Sequence, residues 1–438
     1  MPEPTPQTPH DRKRLFLGQT LSWPEGPMEK AVSAMRHERH GAVVIEEGRI
    51  AAVGAAEDLL AAHAQAEITD HGAALILPGF VDAHAHYPQT AIIASWGKRL
   101  IDWLNDYTFP EEMRLANPAY AAEIAGRYLD LILAEGTTTV VSYATSEMVS
   151  AEAFFEAAEA RGMRAIAGKT CMDRNAPEAL CDTAQRAYDE SRALLQAWHG
   201  RGRLGYAITP RFAPTSSAAQ LDALGSLWAE HPDCLMQTHL SEQTEELAWV
   251  GELFPEALDY LDVYERFGLV GPGAVFGHAI HLTDRERDRL AESGAALAHC
   301  PTSNTFIGSG LFDMGLARLM PVGLATDTGG GSSFSMLRTM AAAYEIAQLR
   351  GQALHPSELI WLATSGSARA LRLGERIGRL APGIEADLVV LDLASTPAIA
   401  QRADQAEDIW QALFPTIMLG DDRAVAQVYV AGRAVKDV

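Results

Sequence analysis

Between residues 74 and 330 the chain passes repeatedly from a short apolar run into a longer segment with helical spacing. The runs are ALILPGFVDAHAH (74–86), TTTVVSYAT (137–145), MRAIAGKTCM (163–172) and LGYAITPRF (204–212). They continue with CLMQTHLSE (234–242), AVFGHAIHL (274–282), AALAHCPTSN (295–304) and VGLATDTGG (322–330). The intervening segments, 118–134, 152–161, 182–198, 218–230, 244–250 with 257–267, 284–293 and 311–319, carry the apolar step of an amphipathic helix. Tyr120, Ile124, Tyr128 and Ile132 show that step directly, and a further helix is predicted over 334–350. Eight strand–helix units predict an α/β fold, a (β/α)8 TIM-type barrel, with an open doubly wound sheet as the competing arrangement.

The two chain ends read differently. Val43 to Ile45, a Glu-Glu-Gly turn and Ile50 to Val53 predict a β-hairpin. Near the other end, ADLVVL (386–391) and VAQVYV (425–430) are rich in β-branched residues and read as strands. Termini often lie close together, so 10–77 and 381–438 are expected to form one small β-sandwich domain around a barrel of 78–380. Residues 1–9 read as a frayed tail.

Polar residues favour the barrel over the open sheet. Nearly every apolar run ends in His, Asp, Arg, Glu or Asn just before the chain turns out. In a barrel those ends converge on one mouth, where barrel enzymes place their chemistry. His84 and His86 are two apart, so on a strand both point to one face. His239 ends LMQTH and Asp327 ends GLATD. Three imidazoles and one carboxylate suit a single divalent ion per chain, Zn²⁺ first and Fe²⁺ as the alternative, with one position left for water. His84, His86, His239 and Asp327 are therefore the expected ligands. His278, His281 and His299 recur at later run ends. His281 has the wrong parity to share a face with His278, and His299 reads as structural.

Composition narrows the partners. The 438 residues are 48% hydrophobic and 21% charged, as in a folded globular chain. The balance of 35 Lys+Arg against 57 Asp+Glu gives −22, a field that repels nucleic-acid phosphates and anionic membranes. No apolar span approaches the ~18 residues of a membrane helix. Four cysteines without a CxxC pair support neither a disulfide framework nor an all-cysteine zinc site. A cytoplasmic protein with reduced thiols acting on a small molecule is the expectation.

The segments PGFVDAHAH, THLSE, GHAIH, HCPTSN and ATD together resemble the amidohydrolase superfamily in its deaminase branch. Binuclear members carry a bridging lysine at the end of the fourth strand; here that run ends in TPRF (209–212), which disfavours a binuclear site. HYPQT (86–90), WLNDYTFPEE (103–112), GKTCMDRN (168–175) and TPRFAPTS (209–216) are similar to the guanine deaminase family over most of the barrel. The resemblance implies hydrolysis of guanine to xanthine and ammonia in purine catabolism, by a homodimer. Such chemistry needs hydroxide at neutral pH, which a bound divalent ion supplies by lowering the pKa of its water to about 7.

The resemblance also assigns roles. Glu242, three residues past His239, would shuttle protons; the competing reading is an acid that caps the helix begun by SEQTEE. Asp327 would be ligand and base together, and His278 would stabilise the tetrahedral centre or its leaving group. Arg211 would donate to the substrate carbonyl and Gln89 would pair with the ring edge, with Phe212 and Trp103 as wall residues. Glu242 and His278 would touch the substrate as well. Related rings, such as 8-oxoguanine, a pterin, cytosine or a chlorinated triazine, are the rival substrates, and a silent scaffold is the rival from another class. GRGRLG (200–205), the glycine-rich 162–170 and Gly329 to Gly331 do not have the context of nucleotide loops. The last of these is expected to be a flexible turn.

Overall fold

The computed structural model describes residues 13–24, 26–96 and 99–436, so the tail expected over 1–9 lies outside the described residues. Two sheets organise the chain. The first contains β1 (Arg14–Ser22), β2 (Arg36–Glu46), β3 (Arg49–Ala55), β4 (Glu67–Pro78), β14 (Leu388–Leu391), β15 (Val425–Val430) and β16 (Arg433–Ala434), in the order β16-β15-β14-β4-β1-β2-β3. The second contains β5 (Phe80–His86), β6 (Thr137–Tyr143), β7 (Arg164–Gly168), β9 (Leu204–Pro210), β10 (Leu235–Leu240), β11 (Ala274–His278), β12 (Ala296–His299) and β13 (Val322–Leu324). A two-residue strand, β8 (Thr170–Cys171), extends the line of β7 beside β9.

All neighbours in the second sheet are parallel. It closes on itself at the mouth, where Asp327 N–H donates to the His84 carbonyl (2.9 Å) and His86 N–H to the Thr328 carbonyl (3.2 Å). The barrel was foreseen because its strands are buried on both faces and read as continuous apolar runs. Val81, Ala83, Val141, Ile166, Ala207, Leu235, Val275 and Ala296 fill the interior. The helices Pro118–Ala134, Ala184–Trp198 and Ala218–Glu230 pack outside.

The end-built β domain takes the form of one seven-stranded, mostly antiparallel sheet. Alternation sorts its faces: Phe16, Val43, Ile45 and Ile76 join one cluster, while Leu15, Ala42 and Val44 face the other side. On β4, Leu75 and Leu77 turn toward the barrel. The expected hairpin is the antiparallel pair β2–β3.

Several segments differ from the sequence reading. The run 295–304 stops as strand at His299, because Pro301 starts the helix Pro301–Phe306 at its N1 position. Residues 311–319 form only the short 3₁₀ turn Met314–Arg318. Two helices not anticipated, Pro397–Ala403 and Ile409–Leu419, sit between β14 and β15; Pro415 inside the second breaks the periodic signal.

Candidate metal and substrate site

The side chains singled out along the sequence meet at the C-terminal mouth of the barrel. Parity on β5 turns His84 and His86 inward together, with ring centroids 5.2 Å apart. Room for the His84 ring comes from Gly277 on β11, where any Cβ would lie 2.8 Å from His84 Cε1. Past β10, β11 and β13 the backbone turns sharply. Ser241, His278, Ala279 and Asp327 all have positive φ, between 48° and 67°. Non-glycine residues in this region are strained, and such strain gathers at functional sites.

His86 Nε2 lies 3.2 Å from His239 Nε2. Asp327 Oδ1 lies 3.4 Å from both His84 Nε2 and His86 Nε2. His239 Nδ1–H donates to the Arg211 carbonyl at 2.7 Å, which leaves the Nε2 lone pair facing the cluster. Burial holds the His84, His86 and His239 pKa values below the ordinary imidazole value, those of His86 and His239 well below it. The Asp327 carboxyl is also buried, yet the close approach of His84 and the neighbouring His278 and His239 outweigh that and keep its pKa low.

Both His84 nitrogens are buried without a hydrogen-bond partner among the described residues. An imidazole so placed is costly unless something outside the chain accepts it. Neutral imidazoles beside an ionised carboxylate are the donors a borderline divalent cation takes. A second grouping, His84, His278, Cys300 and Asp327, also lies close enough to share an ion. It is the poorer donor set. Burial raises the Cys300 thiol well above its usual pKa, Cys300 Sγ faces the Ala298 carbonyl at 3.4 Å, and His278 Nδ1 is taken by Asn304 Oδ1 at 2.9 Å.

Above this cluster opens a cleft of about 430 Å³, its mouth included. Gln89, Arg211, Phe212, Glu242, His278 and Asp327 line it, with Trp103, Leu104 and Ile307 on its apolar side. Phe212 is buried and meets His239 edge-on, with ring centroids 6.4 Å apart. The Glu242 carboxylate faces the cleft, with Oε2 3.5 Å from His278 Nε2 and Oε1 accepting from Ser309 Oγ at 2.8 Å. Burial first, then the Glu246 and Asp327 charges, raise its pKa to about 7, with His278 opposing. The cap of helix Thr244–Leu253 belongs to Gln243 and Glu246 rather than to Glu242. His278 is raised despite its burial, because Glu242, Asp327 and the Asn304 hydrogen bond outweigh desolvation.

Other candidates sit apart. His281 bonds the Ser309 carbonyl at 2.9 Å, and His299 stacks on Phe312 away from the cleft. Gly329 to Gly331 is not a flexible turn: a Cβ on Gly329 (φ 114°) would lie 2.1 Å from Gln89 Oε1, and one on Gly331 2.0 Å from the Thr326 carbonyl. The backbone there is held close to the cleft wall.

Two residues at the site gave no readable signal of their own. Tyr143, ending β6, stacks on His86 with centroids 4.4 Å apart. Glu112 is fully enclosed and binds both substrate-side arms; its Oε1 accepts from Gln89 Nε2 and Arg211 Nη1, each at 3.1 Å, and its Oε2 from Arg211 Nη1 at 2.8 Å. In sequence Glu112 follows a proline at a helix start and passes for an ordinary N-terminal acid.

Residues 75–435 match the amidohydrolase family, and 41–66 match an imidazolonepropionase-like composite domain of bacteria. The chain belongs to the amidohydrolase family. This amidohydrolase is 43% identical over 412 residues to the guanine deaminase of Escherichia coli (strain K12), covering 93% of each chain. It superposes on the crystal structure of guanine deaminase from Bradyrhizobium japonicum with a TM-score of 0.95, at 36% identity, covering 98% of this chain and 100% of the other. A guanine deaminase from C. acetobutylicum, solved with guanine bound in its active site, matches with a TM-score of 0.89 at 28% identity over 97% and 100% of the two chains.

Proposed function

We propose that this amidohydrolase is a guanine deaminase, hydrolysing guanine to xanthine and ammonia. The observation that carries the reading is one cleft that joins Gln89 and Arg211, a recognition pair suited to the ring, to His86, His239 and Asp327, with His84 Nε2 3.4 Å from that aspartate. The guanine deaminases it matches over nearly its whole length support it.

His84, His86, His239 and Asp327 would hold one divalent ion, zinc in the first instance and Fe²⁺ as the alternative. When bound, such an ion lowers the pKa of a water to about 7. The remaining work belongs to side chains. Arg211 donates to the carbonyl at C6, and Gln89 Oε1 accepts from the adjacent ring N–H. Phe212, Trp103 and Leu104 exclude water around the base, which strengthens each polar contact. As water adds at C2, Glu242 takes one of its protons and gives it to the ring nitrogen; the second, left on the new C2 hydroxyl, passes by way of Asp327 to the amine as the C–N bond breaks, leaving the C2 carbonyl and ammonia. A carboxyl raised to about 7 suits both halves of that exchange. His278, held by Asn304, stabilises charge at the tetrahedral carbon.

The decisive assay follows guanine loss and ammonia release on metal-loaded protein, with metal content measured on the same sample. Xanthine in equal yield to ammonia is expected; a metal-replete preparation that releases neither overturns the reading. We further propose a cytoplasmic homodimer. Four free thiols and the absence of any helix long and apolar enough to cross a membrane, among the described residues, accord with the location. Light scattering that returns a monomer refutes the dimer.

A further inference from the structure

We propose that Glu112 is the positioning residue that sets purine specificity, by fixing which atoms Gln89 and Arg211 present to the ring. The inference rests on the guanine reading above and extends it to a residue that need not touch the substrate.

Glu112 is buried at 1% exposure, and its polar contacts are Gln89 and Arg211. A carboxylate only accepts hydrogen bonds, so the Gln89 amide is locked with Nε2 toward Glu112. Its Oε1 then carries no protein hydrogen bond among the described residues, and it lies where only a glycine fits at 329, since a Cβ there would come within 2.1 Å of it. Arg211 gives Nη1 to Glu112, while Nε and Nη2 carry no protein hydrogen bond among the described residues. The cleft edge therefore reads acceptor, then donor. Guanine offers the complement, an N–H at position 1 beside a carbonyl at position 6. 2,6-Diaminopurine keeps the amine at C2 but reverses that edge, with a bare nitrogen at position 1 and an amine at position 6. The same ion pair neutralises Arg211, so the cleft favours a neutral ring over an anion.

Replacing Glu112 by Gln releases the lock. The new amide can donate to Gln89 Oε1, which frees Gln89 to turn Nε2 toward the substrate. For Glu112→Gln we expect KM for guanine to rise and the preference in kcat/KM for guanine over 2,6-diaminopurine to fall, each by about tenfold or more. Metal content should stay near wild type, while the thermal midpoint falls, because Arg211 loses its buried counter-charge. In a Gln89→Met background the same substitution should shift the preference far less, since the amide it orients is gone. A merely structural role predicts parallel losses on both purines, and an unchanged ratio overturns the inference. Should Glu112→Gln fail to fold, Glu112→Asp, which keeps the charge but shortens the arm, is read by the same ratio. Wild-type protein that releases no ammonia from guanine removes the functional reading and this inference together. Wild-type turnover with an unaltered ratio in the variants removes the inference alone.

Discussion

Glu242 stands three residues beyond His239, where the sequence left two jobs competing. Gln243 and Glu246 complete the capping box of the following helix, while Glu242 faces the cleft beside His278. Glu242→Gln should leave metal content and thermal midpoint unchanged and lower kcat by about 10²–10⁴-fold, the usual share of a positioned acid–base group. Steady-state rates and calorimetry on one preparation check this; a lowered midpoint with near-normal turnover would restore the capping role. His84 offers a test independent of turnover. A ligand that binds only the folded chain raises its stability. Chelation should therefore lower the unfolding temperature of wild type and leave that of His84→Ala untouched. The four expected ligands stood out because they lie at the ends of apolar runs, where a polar side chain has no packing reason to be, whereas Gln89 was named only through the family resemblance. Glu112 did not stand out, because its meaning lies in side chains from 89 and 211 that only the fold brings to it.

Strands were easier to read than their ends. Continuous apolar runs marked all eight barrel strands, yet several runs overshot, because the chain leaves the ladder through strained residues that sequence does not flag. His278 ends β11 with φ 67°, and Ser241 follows β10 with φ 50°. Helices with a full apolar stripe were read to within a few residues, as at Pro118–Ala134. Those with a broken stripe were missed, as at Ile409–Leu419. Packing between strands imposes its own constraint at Gly277, whose absent side chain is the space His84 occupies. Gly277→Ala should destabilise the fold by about 1–3 kcal/mol, the usual cost of overpacking. It should weaken metal binding as well, by pushing the imidazole off its line. Denaturant unfolding and metal titration measure the two separately, and native values in both would show that β5 and β11 can part without consequence.

At the scale of the molecule, the barrel base is tied to the end-built sheet by charges at the end opposite the cleft. Arg164 opens β7 and Arg203 immediately precedes β9; both bond Glu385, which with Asp387 leads into β14. Arg203 also pairs with Asp387, whose carbonyl accepts Gly79 N–H at 2.8 Å just before β5 begins. Burial pushes the Glu385 carboxyl up, but hydrogen bonds from Arg164 and the charges of both arginines outweigh it, leaving its pKa below the ordinary value. The sign follows from linkage. A carboxylate depressed in the folded state contributes stability in full above its unfolded pKa, about 4.3, and loses that contribution as pH falls through the lower folded value. Removing one partner from a buried ion group leaves the others uncompensated, so Glu385→Gln should cost about 3 kcal/mol near pH 7. The gap to wild type should begin to narrow below pH ~4 and close only under the lower folded value, where both carry a neutral side chain. Denaturant midpoints measured from pH 7 down to pH ~3 would show converging curves. Curves that diverge toward acid would mean the arginines are held by something other than this carboxylate. Turnover below the unfolding range should be unaffected, because the tie acts on the frame and the chemistry lies at the other end of the strands.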